Sequence, residues 1–358
     1  MEIKNMIDNL RLSEKEYKEG KLVLDSMPSE LDLQLNYSCN LGCHFCPQWN
    51  TKRNRVLSRE AIDKVLPLVP YLRVLLLHGG EAIMGPHFEY IISTVERESK
   101  YPIIRMITNG IMLNDDKYMD ICLSPAFGEI FVSLDGGSRE SYMAVHGGQD
   151  RFDEVVNGVR KLCRFRGYGP RVILKMMATK ETCYEVEKFF DLAVSLGVDG
   201  VQFSQFYKSG KPGFYDKHKP SDKDIVHYFN DVEKCIDRHK LDVRVFNING
   251  HVDRALELRR KKKYKIRSPE GFWAGLENNG CTRGICHFPW SRFTVKINGD
   301  VCVCCQSEKM IGNLCRSSFE EIWNSKDAQI VRSAILRRDF VTPSCRKQCG
   351  FQDGKSFK

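Results

Sequence analysis

The sequence predicts an α/β fold: a largely parallel sheet shaped as a partial, TIM-like (β/α)6 barrel, followed by a small C-terminal domain built from a β-hairpin and a helix. Three observations predict it. Short β-rich runs alternate with helix-period segments six times over roughly 200 residues, the pattern of strand–crossover–strand units. No Gly-x-Gly-x-x-Gly motif follows any strand and no P-loop motif is present, so dinucleotide and mononucleotide folds of those types are excluded. Beyond Leu241 the alternation stops, and RFTVKINGDVCV brings Asn298-Gly299, a strong short-range hairpin signal.

The strand candidates in order are Leu31–Asn36, Leu72–His78, Ile103–Thr108, Glu129–Leu134, Arg171–Ala178 and Val201–Phe206. Runs such as RVLLL and EIFVSL are nearly continuous in apolar residues, as in strands buried on both faces. Helical patterns lie between them, including FDEVVNGVRKLCRF after Arg151 and EVEKFFDLAVSLG, which stops at Gly197. An open doubly wound sheet competes with the barrel, because periodicity does not separate the two. The segment DVRVFNI offers a seventh strand, and SFEEIWNSKDAQIVRSAILRR a helix capped by Ser317 or Ser318. The expected division is an N-terminal arm at 1–29, the barrel at 30–240, a linker at 241–275 and the C-terminal domain at 276–358.

The chain has 358 residues, with 42% apolar and 28% charged residues, which excludes a disordered chain. No apolar run approaches the ~20 residues that span a bilayer, and the N-terminus lacks a signal-peptide core. The reading is a soluble cytoplasmic protein without a membrane partner. A net charge of +9 is mild for this length and makes no case for nucleic acid. Fifteen cysteines, an odd and clustered set, point to metal ligands rather than disulfides in a reducing compartment.

The first cluster is NYSCNLGCHFCPQWN, with Cys39, Cys43 and Cys46 spaced x3 and x2 directly after the first strand. Structural zinc wants four ligands, so a zinc site here must borrow His44 or a distant cysteine. Three close thiolates suit a [4Fe-4S] cluster whose fourth iron is open to a non-protein ligand. CNLGCHFC resembles the CxxxCxxC signature of the radical S-adenosylmethionine (radical SAM) enzymes. That resemblance implies SAM bound through its amino and carboxylate groups to the open iron, and reductive cleavage to a 5′-deoxyadenosyl radical that removes a substrate hydrogen atom.

Further motifs of the family appear in order, each at a strand end. Gly79-Gly80-Glu81 resembles the GGE motif that receives the methionine ammonium. Thr108-Asn109-Gly110 is similar to its TNG, and Ser133 and Asp135 of SLDG to the pair used for the ribose hydroxyls. Strand alternation would put those two side chains on one face. Phe45 matches the aromatic near the adenine. The chain departs from the family at Ala82, where Pro is common, and at His146-Gly147, where Arg-Gly is common. If that Arg meets the SAM carboxylate, then His146, Arg151 and Lys175 are the candidates to replace it, against a surface role for each.

The C-terminal region resembles the SPASM/twitch extensions of these enzymes. CHFPW from Cys286, NGDVCVC ending at Cys304, FEEIWNS, and the closing pair Cys345 and Cys349 carry the resemblance. It implies one closed auxiliary [4Fe-4S] cluster on Cys286, Cys304, Cys345 and Cys349; read from the residues alone, tetrahedral zinc fits as well. The seven-cysteine, two-cluster form is not matched, since its CxxC-x5-C run is missing. Cys281, Cys302, Cys305 and Cys315 are left as packing residues, a further ligand or a thiol hydrogen donor. Cys122, Cys163, Cys183 and Cys235 read as packing.

An auxiliary cluster suits net oxidation, and epimerisation is the neighbouring chemistry. The leading substrate is a small polar metabolite such as a sugar, cyclitol or nucleotide sugar, with a ribosomally made peptide as the alternative. Only about 30 residues precede the first strand, fewer than a fused leader-binding module needs. The basic run Arg259–Arg267 reads as a solvated face, or as attraction for an acidic substrate or donor. The family implies a flavodoxin or ferredoxin as electron donor. A non-catalytic iron–sulfur electron carrier is the distant alternative, and it leaves GGE, TNG and SLD without a purpose.

Overall fold

The computed structural model describes residues 4–52, 54–239, 241–246, 286–305, 307–337 and 339. The run Arg259–Arg267, Cys281, Cys345 and Cys349 lie outside the described residues. In chain order come α1 (Met6–Glu19), β1 (Glu30–Gln34), α2 (Arg59–Asp63), β2 (Val74–His78), α3 (Phe88–Glu98) and β3 (Ile104–Thr108). Next are α4 (Asp116–Cys122), β4 (Phe127–Ser133), α5 (Arg139–Val145), α6 (Phe152–Phe165) and β5 (Arg171–Ala178). They are followed by α7 (Val186–Leu196), β6 (Gly200–Gln205), α8 (Phe214–His218), α9 (Asp222–Arg238) and β7 (Asp242–Phe246). The C-terminal part carries α10 (Phe288–Ser291), β8 (Arg292–Val295), β9 (Asp300–Cys302), β10 (Gly312–Asn313), α11 (Phe319–Trp323) and α12 (Lys326–Leu336).

Two compact units form. The first takes its described residues from Met1–Asn36, Asn54–Arg105 and Glu277–Lys358, the second from Tyr37–Arg53 and Met106–Leu276. The division falls inside β3. In the first unit the strand order is β10-β9-β8-β1-β2-β3, with β1 parallel to both β2 and β8 and the β8–β9–β10 meander antiparallel. In the second it is β3-β4-β5-β6-β7, and β4 to β7 pair in parallel throughout.

In each unit one face of the strands packs on helices. In the first unit Leu31, Leu33, Leu75 and Leu77 are fully buried, and Phe293, in register with Leu31, packs on Phe319 and Trp323 of α11. In the second, Val201 and Phe203 do the same, Phe203 meeting Phe189, Phe190 and Tyr228 on α7 and α9. The alternate residues include Asp32, Gln34, His78 and Thr294, beside Leu76, in one unit, and Ser133, Lys175, Gln202 and Ser204, beside Ile173 and Met177, in the other.

Two local expectations change. The Asn298-Gly299 turn is present, but its loop includes Ile297. The Lys296 amide donates to Asp300 O at 2.8 Å, the Gly299 amide to Lys296 O at 2.8 Å, and Gly299 has φ +80°. That is the three-residue hairpin loop with glycine in the left-handed position. The single C-terminal helix is two helices. Ser318 caps α11 through a capping box with Glu321, and Ser325 caps α12. The break is held by Asn324, whose side chain donates to Leu24 O at 2.8 Å and accepts from the Leu24 amide at 2.9 Å. The new start at Ser325, whose side chain accepts from the Ala328 amide, interrupts the helix periodicity.

Residues 1–29, expected as an arm, contain α1 and are fastened to the C-terminal segment. The centre of this fastening is Arg332, whose side chain is fully buried. Its guanidinium donates to Pro289 O at 2.9 Å, Leu22 O at 2.7 Å and Trp323 O at 2.8 Å, and lies 4.7 Å from the Trp323 ring centroid. Burial lowers it to about 10, and nearby Glu16 opposes the shift. Replacing Arg332 by Met keeps the bulk and strands three carbonyls, at about 1 kcal/mol each. We expect Arg332→Met to lower unfolding stability by about 3 kcal/mol in a urea titration. Arg316→Met, at an exposed position, should change it by less than about 0.5 kcal/mol. Equal midpoints for the two variants would contradict the role given to Arg332.

Candidate functional site

In the second unit the cysteine loop is shaped by its own turns: the Cys46 amide donates to Cys43 O at 3.2 Å and the Trp49 amide to Cys46 O at 3.0 Å. Each sulfur faces a nitrogen. The Leu41 amide lies 3.4 Å from Cys39 Sγ, the Gln48 amide 3.4 Å from Cys46 Sγ, and His146 Nδ1 3.0 Å from Cys43 Sγ. Asn109 Nδ2 lies 3.8 Å from Cys39 Sγ and donates to Asn40 Oδ1 at 2.7 Å, while Asn109 Oδ1 accepts from the Ile111 amide. Asn109 thus ties the end of β3 to the loop.

The loop after β6 holds the other side. The Lys211 amide donates to His44 O at 2.7 Å and Ser209 Oγ to Phe45 O at 2.9 Å. Gly210 sits between them at φ +75°, and a Cβ there would run into the His44 carbonyl. Phe45 packs against the buried group Val145, Met177, Phe206 and Phe214. The sequence reading missed Ser209, Gly210 and Lys211; a Ser-Gly-Lys turn after a strand carries no chemistry of its own to mark it.

Past Ser133, β4 ends and the chain turns sharply. Asp135 has φ +54°, so strand alternation no longer relates it to the half-buried Ser133. Its Oδ1 accepts from the Met177 amide at 2.9 Å, and its Oδ2 lies 3.6 Å from His146 Nε2. Burial raises the Asp135 carboxyl to about 6 against the pull of Lys175. Lys175 is lowered by burial, with Asp135 opposing. His146 is buried and pushed down to about 3 by that burial. Arg151 is turned to Glu154, at 2.6 Å. Of the three candidates for the missing Arg, only His146 touches the cysteine loop through its side chain in a described contact.

The first unit holds Gly79, Gly80 and Glu81. The Gly80 amide donates to Asn36 O at 2.7 Å, and Gly79 packs so tightly on Asn36 that a Cβ has no room. Asn36 Nδ2 donates to Glu81 O at 3.0 Å, which fixes the backbone of the buried Glu81. Asn36 Oδ1 is buried without a hydrogen-bond partner among the described residues. His78 Nε2 lies 2.7 Å from Asp32 Oδ1, on the polar face. Asn36 and the Asp32–His78 pair were not singled out from the sequence; the pair joins neighbouring strands and follows from register alone.

In the C-terminal part, Cys286 precedes α10 and Cys304 follows β9, both half-buried. Cys302 is fully buried, its Sγ 3.2 Å from Cys304 O, and burial raises it to about 12. Cys305 and Cys315 are exposed. Cys122, Cys183 and Cys235 are buried and Cys163 half-buried.

The cysteine loop fits an iron–sulfur cluster. Burial is the largest cause that raises the Cys43 thiol, and Cys39 and Cys46 raise it further, so the three sulfurs share one electrostatic neighbourhood. Metal charge relieves that repulsion, and N–H groups aimed at the sulfurs suit thiolate ligands. Among the described residues no three His, Cys, Asp or Glu side chains gather as a single-ion site. No helix among them is long and apolar enough to cross a membrane.

Residues 33–201 match the model of the radical SAM superfamily, and residues 286–350 match that of an iron–sulfur cluster-binding domain, SPASM. The chain is 27% identical over 206 residues to a probable GTP 3′,8-cyclase of Saccharolobus islandicus, covering 57% of this chain and 65% of that protein. It is 24% identical over 187 residues to the mycofactocin maturase MftC of Mycolicibacterium smegmatis, 51% of this chain and 46% of that one. Its fold resembles Streptococcus suis SuiB bound to S-adenosylmethionine, with a TM-score of 0.65 at 15% identity over 96% of this chain and 76% of SuiB. It also resembles anSMEcpe with bound AdoMet and a peptide, with a TM-score of 0.58 at 18% identity over 89% of this chain and 86% of that one. The cofactors that go with both domains are SAM, a [4Fe-4S] cluster that binds it, and auxiliary iron–sulfur. The chain carries a radical SAM domain at residues 33–201 and a SPASM iron–sulfur cluster-binding domain at residues 286–350.

Proposed function

We propose that the protein is a radical SAM oxidoreductase or epimerase that acts on a small polar metabolite, of the sugar, cyclitol or nucleotide-sugar class. The observation that supports the substrate class is the row Ser133, Lys175, Gln202 and Ser204 on neighbouring strands of the second unit, which offers hydroxyl, amide and charged groups beside Ile173 and Met177. Hydroxyl-rich molecules are bound by such groups. A modified peptide is the second reading, supported by the likeness to SuiB and anSMEcpe, solved with bound peptides.

When bound and reduced, the cluster and SAM supply a 5′-deoxyadenosyl radical that removes a substrate hydrogen atom. The protein's part is to hold and shield. Cys39, Cys43 and Cys46 would ligate the cluster, and Asn109 and the Ser209–Lys211 turn keep their loop in place. Gly79, Gly80 and Glu81, fixed by Asn36, would receive the methionine ammonium, while Ser133 and Asp135 would take the ribose hydroxyls and Phe45 the adenine. Cys286 and Cys304, with Cys345 and Cys349, would ligate a single auxiliary cluster. The electron donor would be a flavodoxin or ferredoxin in a reducing cytoplasm.

Reduced holoenzyme should release 5′-deoxyadenosine when given SAM and host extract, and the stimulation should survive exhaustive proteolysis of the extract. Loss of stimulation on proteolysis would transfer the substrate to the peptide class. No release above a Cys43→Ala control with its auxiliary iron verified would overturn the enzymatic reading. Gly210→Ala, at φ +75° and against His44, should lose iron and sulfide relative to wild type. Gly213→Ala also needs a positive φ but has open space around it, and should retain them. Equal iron content in the two would remove the loop-holding role from Gly210.

A further inference from the structure

We propose that His146 is a positioning residue of the SAM-binding cluster: its Nδ1–H donates a hydrogen bond to the Cys43 thiolate and thereby raises the reduction potential of that cluster. The inference rests on the radical SAM domain and is independent of the substrate class. Nδ1 lies 3.0 Å from Cys43 Sγ, nearer than the 3.4 Å of the two backbone amides that face Cys39 and Cys46. A cysteine that ligates iron is a thiolate and has no proton to give. With the ring proton on Nδ1 the contact is a hydrogen bond with the nitrogen as donor, and Nε2, 3.6 Å from Asp135 Oδ2, keeps the lone pair.

The ring cannot swing away from the sulfur. Tyr142 stacks on one side, with centroids 4.1 Å apart and an interplanar angle of 27°, and Phe45 meets it edge-on at 5.7 Å. The backbone is tied to the same loop: Gln149 donates to His146 O at 2.9 Å and accepts from the Gly42 amide at 3.1 Å. Gly147, at φ +71°, lets the His44 ring approach where any Cβ would stand 2.9 Å from it. His146-Gly147 is thus fitted to the cysteine loop as a unit. This accounts for the departure from Arg-Gly: the position serves the cluster's sulfur here, with one directed N–H in place of a long cation.

A hydrogen bond to a ligating sulfur withdraws electron density and favours the more negative, reduced cluster. The test is an EPR-monitored redox titration of reconstituted full-length holoenzyme, following the signal that shifts on SAM addition. His146→Phe should move its midpoint to a more negative potential. His146→Gln, which keeps an N–H donor, should return it towards wild type. Identical midpoints in all three proteins, or equal shifts in both variants, would overturn the proposal. Should His146→Phe fail to hold the cluster, pulsed EPR of protein carrying 15N-labelled histidine gives the second readout. A 15N coupling to the reduced cluster that is lost in His146→Gln supports the hydrogen bond, and a spectrum unchanged by that substitution overturns it.

Discussion

As cluster ligands, Cys39, Cys43 and Cys46 would be three thiolates within eight residues and partly out of water, and would repel one another. Burial first, then its two neighbours, raises the Cys43 thiol. Contacts from other elements keep the loop in place. The second unit supplies those elements from three strand ends, with Asn109 after β3, His146-Gly147 beyond β4 and Ser209–Lys211 after β6. Asn109 and Ser209 donate to the loop from their side chains and Lys211 from its backbone, while Gln149 accepts from the Gly42 amide. Parallel strands bring their carboxyl ends to one edge, so residues as far apart in sequence as Asn109, His146 and Ser209 can reach the same loop.

The first unit solves a different problem, the joining of chain ends. A buried guanidinium satisfied by three carbonyls is directional, whereas apolar packing alone would tolerate slippage. Leu22, Pro289 and Trp323 come from three separate segments, and Arg332 bonds to all of them. Asn324, Trp323 and Trp290 add further contacts to the same N-terminal stretch, Trp323 Nε1 to Ser26 O at 2.7 Å and Trp290 Nε1 to Lys21 O at 2.8 Å. With those bonds made, β8 lies in register beside β1, Phe293 opposite Leu31. The strand that leads to the cysteine loop is therefore flanked on both sides rather than left as an edge.

What could be read from the sequence was local. The strands of the barrel and the helices after Arg151 and Tyr184 follow from periodicity, and Gly197 closes α7 in the left-handed conformation expected of a stop signal. The signature cysteines and the GGE, TNG and SLDG turns are contiguous strings, so their presence needs no fold to be seen. What escaped was set by contacts across the chain. Asn324 breaks a helix whose periodicity is unbroken, because Leu24 takes its side chain. Asn36 looks like any residue after a strand until Gly79 and Glu81 close on it. Asp32 and His78 meet only because parallel register places β1 beside β2.

Burial in the second unit favours the neutral form of His146. With the cysteines ionised as ligands, the site would gather three thiolates beside Asp135, and Lys175 is the cation that faces Asp135. Such an excess of buried negative charge is costly in a medium of low dielectric. An arginine at 146 would lie between Cys43 and Asp135 and pair with them, leaving less of its charge for a ligand. A buried neutral imidazole adds no charge, so compensation would come from the iron of a bound cluster. Burial raises the Asp135 carboxyl, and Lys175 and the Met177 amide offset that only in part. The protein side of this site is thus built anionic and donor-rich, which suits a cationic guest and leaves the three cysteines poorly served by water alone.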